Sequence, residues 1–438
     1  MNQEKQQPER RLPEPPEQTR LSIAAWCFFD WANSAFPTVI ITFIFAAYYT
    51  QALAPTKETG TSEWAWAMSI SGLAIAVLAP VLGALADQGG RRKPYIFMLS
   101  LVCVACGLLL WTIAPERSFA LRALIVVGIA NVAFEIGQVF YNAMLPEVAP
   151  PGKLGRVSGW AWALGYAGGL VCLTLSLLLL VQPDPSPLGL DRDAGEHVRA
   201  TGPFVALWYL VFALPMFLLT PERAATGIRA GRAIRDGLAS LWRTIKSLPE
   251  HRGMLRFLIA RMIYIDGLNT LFAFGGIYAA GSFGMDFEEV LIFGILLNVT
   301  AGLGAFAFAW IDDWIGPKRT ILISVAALTL LGAAILVVES KLMFYILGCG
   351  LGIFIGPTQS ASRSLMARLA PPAIRTELFG LYAFSGRVTA FLGPFLVGLV
   401  TYWSDSQRLG MSVILVLFLI GLVLLWPLRE PPQEQPGP

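Results

Sequence analysis

The chain has 438 residues, 55% of them hydrophobic and 14% charged, with a net charge of +3. Soluble domains carry about 25% charged residues, so this composition excludes an ordinary aqueous surface. Residues 1–21 are rich in Pro, Glu, Gln and Arg with little to bury, which predicts a disordered tail. The first apolar run, Leu21 to Tyr49, is about twice as long as a signal-peptide core and lacks a small-residue cleavage site. It is expected to stay as the first span. Twelve candidate helices follow in order, near 22–50, 64–86, 95–114, 119–142, 157–181, 203–220, 254–280, 288–311, 319–338, 342–366, 377–402 and 409–427. Runs of this length cross a bilayer as helices and are too long for barrel strands.

Span 1 carries FFDWANS at 28–34, with Asp30, Asn33 and Ser34 on one helical face. Ionisable groups at bilayer depth are costly and face a wet cavity or a partner where they occur. Pro37 predicts a disturbance near the middle of the same helix. After span 2 comes GALADQGGRRK, residues 83–93. Asp87 ends a helix, where the macrodipole disfavours an anion, so it needs a partner from elsewhere. The N-terminus of another helix would serve, and so would a basic side chain. Gly89 and Gly90 let the chain reverse, and Arg91, Arg92 and Lys93 follow. Two readings stand, a latch between helices or a plain basic turn. Turn chemistry alone does not require Gly83, Leu85 and Asp87 at this register, which favours the latch.

Cys103 and Cys106 form a CxxC with no second pair and no nearby histidine, and read as small packing residues. Span 4 bears a polar stripe of Asn131, Glu135, Gln138 and Asn142. The basic, helix-permissive stretch 221–253 joins two halves and has apolar residues at helical spacing, as in a segment lying on a membrane surface. Span 7 repeats the first motif as YIDGLNT, with Asp266, Asn269 and Thr270 in register, and Arg261 precedes them. After span 8, Asp313, Gly316, Lys318 and Arg319 repeat the spacing of Asp87, Gly90, Arg92 and Lys93. Gly348, Gly352 and Gly356 in span 10 permit close helix approach. SASRSLMARL ends that span, and Arg363 and Arg368 are expected to snorkel to the surface, with substrate binding as the alternative. Arg387 lies inside span 11.

The halves repeat. APP at 149–151 matches APP at 370–372, and at the same offset Gly159 and Gly165 match Gly380 and Gly386. The expected domains are a tail at 1–21, six-helix bundles at 22–220 and 254–428, a linker at 221–253 and a tail at 429–438. Lys and Arg concentrate in the segments sharing a side with the N-terminus, which predicts both termini in the cytosol. Parallel six-helix repeats of this kind hold their binding site at the midplane between halves.

GALADQGGRRK resembles the signature loop of the major facilitator superfamily, with Gln88 departing from the usual basic residue. FFDWANSAF, FYNAMLPEVAPP, SGWAWALGYAGG, SRSLMARLAPP and FGLYAFSGRVTAFLGP resemble, more narrowly, the subfamily that includes the autophagy-related vacuolar effluxer of fungi. The resemblance implies an all-α membrane protein of twelve transmembrane helices in two pseudo-symmetric bundles. It implies that spans 1, 4, 7 and 10 line the cavity, and that the loop after span 2 latches spans 2 and 11 in the outward-open state. It also implies transport of a small polar solute, with amino acids favoured.

The expected site is therefore Asp30, Asn33, Asn131, Glu135, Gln138, Asp266, Asn269 and Arg387, either contacting substrate and coupling ion or pairing to hold helices together. Gly83, Asp87, Gly90, Arg91, Arg92 and Asp313 are the expected gate. His197 and His251 lie in loops, so a proton relay would need Asp30, Glu135 or Asp266. No metal, cofactor, nucleic-acid partner or enzymatic activity is expected, and no phosphate-binding GxxxxGK[ST] loop occurs. The expected partners are the bilayer, a small solute and, for coupling, protons; the expected form is a monomer in a bacterial inner membrane. A transporter-fold sensor and a lipid flippase are the alternatives.

Overall fold

The computed structural model describes residues 19–430 apart from 223, 225 and 227–229. The expected disorder of the first tail falls mainly on residues outside this set. Among the described residues twelve helices are long and apolar enough to cross a membrane: Arg20–Leu53, Lys57–Gly89, Lys93–Leu110, Arg117–Val148, Leu154–Val181, Glu196–Leu219, Arg252–Phe283, Glu288–Ile315, Pro317–Val337, Lys341–Leu369, Pro372–Ser404 and Gln407–Leu425. They are numbered here as spans 1 to 12. Large apolar side chains such as Trp66, Leu73, Leu218, Leu330 and Val423 face outward, while Asp30, Asp266 and Arg363 are buried. This polarity suits a lipid solvent, where backbone groups must bond within the helix and charges must turn inward.

Helix ends follow local chemistry. Thr19 and Ser22 form a capping box at the start of span 1, and Asp286 and Glu289 form one before span 8. Gly90 ends span 2 with φ +79°, a left-handed turn that favours glycine.

Span 5 ends in a π-helical turn over Leu177–Val181, and spans 1 and 11 depart from regular winding nearer the middle. In span 1 the disturbance at Pro37 takes the form of π-helical winding over Phe36–Phe43, where Thr42 donates to the Pro37 carbonyl at 2.9 Å. Span 11 is two helices, Arg375–Arg387 and Leu392–Ser404, rather than the continuous segment expected over 377–402. Gly393 and Pro394 lie in the first turn of the second piece, where a missing proline N–H does little harm.

Spans 5 and 6 pack on span 1, and span 3 on spans 4 and 6. Spans 7 and 9 pack on span 12, and span 10 on spans 8 and 9. Between these groups, span 2 lies along span 11 and span 5 along span 8. Glycine sets both seams. A Cβ on Gly83 would sit 2.5 Å from the Thr376 carbonyl oxygen, and one on Gly159 would sit 2.6 Å from that of Ala305.

The linker contains the helix Ala230–Ser247, packed on span 2. It buries Ser240, Leu241 and Thr244 and exposes the apolar stripe Leu238, Trp242 and Ile245.

Candidate central cavity and its closures

A cavity of about 360 Å³ lies between the two groups of helices, lined from spans 1, 4, 5, 7, 10 and 11. Ligand pockets of small molecules start near about 300 Å³. Of the expected site residues, Asp30, Glu135, Gln138, Asn269 and Arg387 line it. Gln359, Arg363, Arg261, Trp162 and Tyr382 join them.

Two ion pairs cross the cavity. Asp30 of span 1 meets Arg363 of span 10 at 3.1 Å, with both side chains almost sealed from solvent. Glu135 of span 4 meets Arg387 of span 11, with both side chains partly exposed. The first pair corrects the expectation that Arg363 snorkels. Its guanidinium also donates to Asn142 Oδ1, Ser158 Oγ and the Ser158 carbonyl. It sits over Trp26, Tyr141 and Trp162 at 5.3, 5.8 and 5.6 Å. With its donors met inside, burial costs less than it would for a bare charge. Arg368 likewise turns inward, 4.0 Å from Asp312 and 3.9 Å from Asp313.

Arg261 differs from the other two cavity arginines. It donates to the Tyr382 carbonyl at 2.6 Å and to Ser385 Oγ at 2.9 Å, and its guanidinium lies 3.4 Å from the Tyr382 ring centre. Among the described residues no carboxylate lies within ion-pair distance of it.

Three expected site residues lie outside the lining. Asn131 donates to Ser71 Oγ at 2.8 Å and ties span 4 to span 2. Asn33 is buried beside Ser34. Asp266 accepts the Gly393 N–H at 3.0 Å. It thereby satisfies the start of the second helix of span 11, where the helix end favours an anion. A side chain on Gly393 would collide with Thr270, so glycine permits this approach.

One end of the molecule carries Arg20 and Glu430, near the two ends of the described chain, with the loop residues Lys93, Lys153, Arg156 and Lys318; it is called the basic face below. There the halves are closed twice. At the first closure Asp87, with its side chain 3% exposed, accepts from Thr376 Oγ1 at 2.6 Å and from the Glu377 N–H at 2.9 Å. These groups belong to the first turn of span 11's first helix, the kind of partner the macrodipole argument demanded. Arg92 donates to Thr376 Oγ1 at 2.7 Å and pairs with Glu147, which also meets Arg375 at 3.6 Å. Arg91 is exposed on the same face. At the second closure Asp313 accepts the Gly155 N–H at 2.8 Å at the start of span 5, and Arg156 lies 3.4 Å away.

The chain matches the family described as "Vacuole effluxer Atg22 like" over residues 53–154 and 151–432. An uncharacterized MFS-type transporter of Bacillus subtilis, YxiO, is 25% identical over 92% of this chain and 93% of its own length. Autophagy-related protein 22 of Kluyveromyces lactis is 24% identical over 71% of this chain and 67% of its own. Among solved structures, the MFS transporter FucP in an outward conformation aligns with a TM-score of 0.73 at 13% identity, covering 94% of this chain and 100% of that one. Twelve apolar spans, a cavity between two groups of helices and these matches lead to one assignment: the chain is an integral, multi-pass secondary transporter of the major facilitator superfamily and belongs to its Atg22-like family.

Proposed function

We propose that the protein moves a small, carboxylate-bearing zwitterion, an amino acid, by alternating access of two six-helix halves at 22–220 and 254–428. The observation that carries the substrate class is Arg261. It faces the cavity without a carboxylate, whereas Arg363 and Arg387 each have one. A guanidinium held by carbonyl and hydroxyl groups is short of one anion, and a substrate carboxylate supplies it. Glu135, Gln138 and Asn269 then face the ammonium and polar end. The two cross-cavity ion pairs join opposite halves, so they separate whenever the halves rock, and the substrate's charges compensate their loss.

Protons couple to transport through Glu135 in this reading. Its carboxylate faces the cavity and is the more accessible of the two paired acids. Protonation there releases Arg387 and loosens span 4 from span 11. Asp266 serves the break in span 11 instead. With the basic face inward, as the positive-inside bias supports, both termini are cytosolic in a bacterial inner membrane.

The test is uptake of labelled amino acids into proteoliposomes with and without a pH gradient. Arg261→Gln is expected to weaken substrate binding about tenfold or more, and Glu135→Gln to exchange substrate without concentrating it. Full accumulation by Glu135→Gln would overturn the coupling assignment, and unchanged affinity in Arg261→Gln would overturn the substrate class.

A further inference from the structure

A second, larger void of about 960 Å³ lies on the outside of the bundle, between spans 1, 5 and 8. Span 5 separates it from the central cavity: Trp162 and Gly165 line the cavity, while Trp160, Ala163 and Leu164 line this groove. Its two ends differ in chemistry. At the basic face it is lined by Arg20, Lys153 and Arg156, and among the described residues no acidic one lines it. Arg20 opens span 1, whose positive end adds to the cations there; Lys153 directly precedes span 5, whose own N-terminus is met by Asp313. Away from that face the wall is almost wholly apolar, through Trp160, Leu164 and Phe306 to Leu170 and Asn298. The stretch from Lys153 to Leu170 is about 26 Å long at helical rise, longer than the ~15 Å depth of one leaflet's hydrocarbon. Among the described residues the Trp160 indole N–H has no acceptor.

We propose that this groove holds one anionic phospholipid, with its phosphate on Arg20, Lys153 and Arg156 and an acyl chain along Trp160, Leu164 and Phe306. Cations at one end and continuous apolar wall beyond match a lipid and do not match a soluble anion, which would leave most of the groove empty. Arg156 is shared: its Nε lies 3.4 Å from Asp313, and its guanidinium lies 5.9 Å from the Trp310 ring centre. A phosphate drawing on Arg156 weakens its hold on Asp313. The lipid thereby acts on the second closure from the membrane side.

The test uses the purified full-length chain in nonionic detergent, with dioleoyl phosphatidylglycerol, dioleoyl phosphatidylcholine and free glycerol 3-phosphate as probes. Native mass spectrometry counts bound lipid, and thermal unfolding reads affinity. One phosphatidylglycerol is expected to remain bound and to raise Tm by several degrees. Arg20→Gln with Lys153→Gln changes two exposed residues remote from the central cavity. This pair is expected to weaken phosphatidylglycerol binding about 30-fold, from two surface cations. Phosphatidylcholine and glycerol 3-phosphate are expected to leave Tm unchanged. Equal stabilisation by phosphatidylcholine, equal stabilisation by glycerol 3-phosphate, or undiminished phosphatidylglycerol binding in the double variant would each overturn the proposal.

Discussion

The two closures of the basic face are copies of one device with one charge inverted. In each, an aspartate at the end of one span sits on the N-terminus of a span from the other half. Asp87 reaches Thr376 and Glu377, and Asp313 reaches Gly155. The receiving positions Gly155 and Thr376 correspond under the same offset that relates the two APP sequences, and each aspartate lies near the end of its own span. The residue two places before each APP does not correspond in charge: it is Glu147 in the first copy and Arg368 in the second. Glu147 holds Arg92 and Arg375, and Arg92 in turn meets Asp87 and Thr376, so the first closure is a buried, hydrogen-bonded network. Arg368 instead approaches Asp312 and Asp313 at 4.0 and 3.9 Å. The first copy is thus tighter than the second. Repeated architecture sets where these contacts between the two groups of helices lie, and the charges added to them set how tightly each is held.

The largest expected effect comes from Glu147→Gln. It leaves Arg92 and Arg375 without their shared buried anion and is expected to cost about 3–5 kcal/mol, read as a fall in thermal stability. A loss no larger than that of Arg368→Gln would remove the asymmetry. Asp87→Asn comes next. It takes the charge from two short hydrogen bonds and is expected to cost the closed state about 2–3 kcal/mol. Spin labels at Gln88 and Ala373 should then report a longer separation. Asp313→Asn takes the charge from the hydrogen bond with Gly155 and from the ion pairs with Arg156 and Arg368, so about 1.5 kcal/mol is expected in the same assay across spans 5 and 8. The smallest effect is Ser240→Ala. Ser240 on the linker helix donates to the carboxylate of Glu377 at 3.0 Å, the same residue whose N–H holds Asp87. Its loss is expected to loosen only the first closure, by about 1 kcal/mol. An equal change at the second closure would show that the linker acts on the whole face.

The fold and the first closure were legible because their signals are local. Apolar run length marks a span, and an aspartate at a helix C-terminus announces that it needs a foreign partner. The pairing inside the cavity was not legible. Asp30 and Asp266 sit in nearly identical motifs, yet Asp30 finds Arg363 while Asp266 finds a backbone N–H of span 11. What separates them is the break after Arg387, and Gly393–Pro394 was the one sequence signal for it. Arg363 was placed at the surface because a long side chain near a helix end can turn either way. Acceptors from Asp30, Asn142 and Ser158, distant in sequence, decide its direction. Gln359 and Arg363, one helical turn apart on span 10, could have marked a cavity face.

The most direct measurement is the distance between spin labels at Gln88 and Ala373, taken in lipid with and without a transported amino acid. Alternating access through an Asp87 closure predicts a short distance at rest, a second and longer population when substrate is added, and a mainly long distance in Asp87→Asn. A single short distance under all three conditions would contradict it.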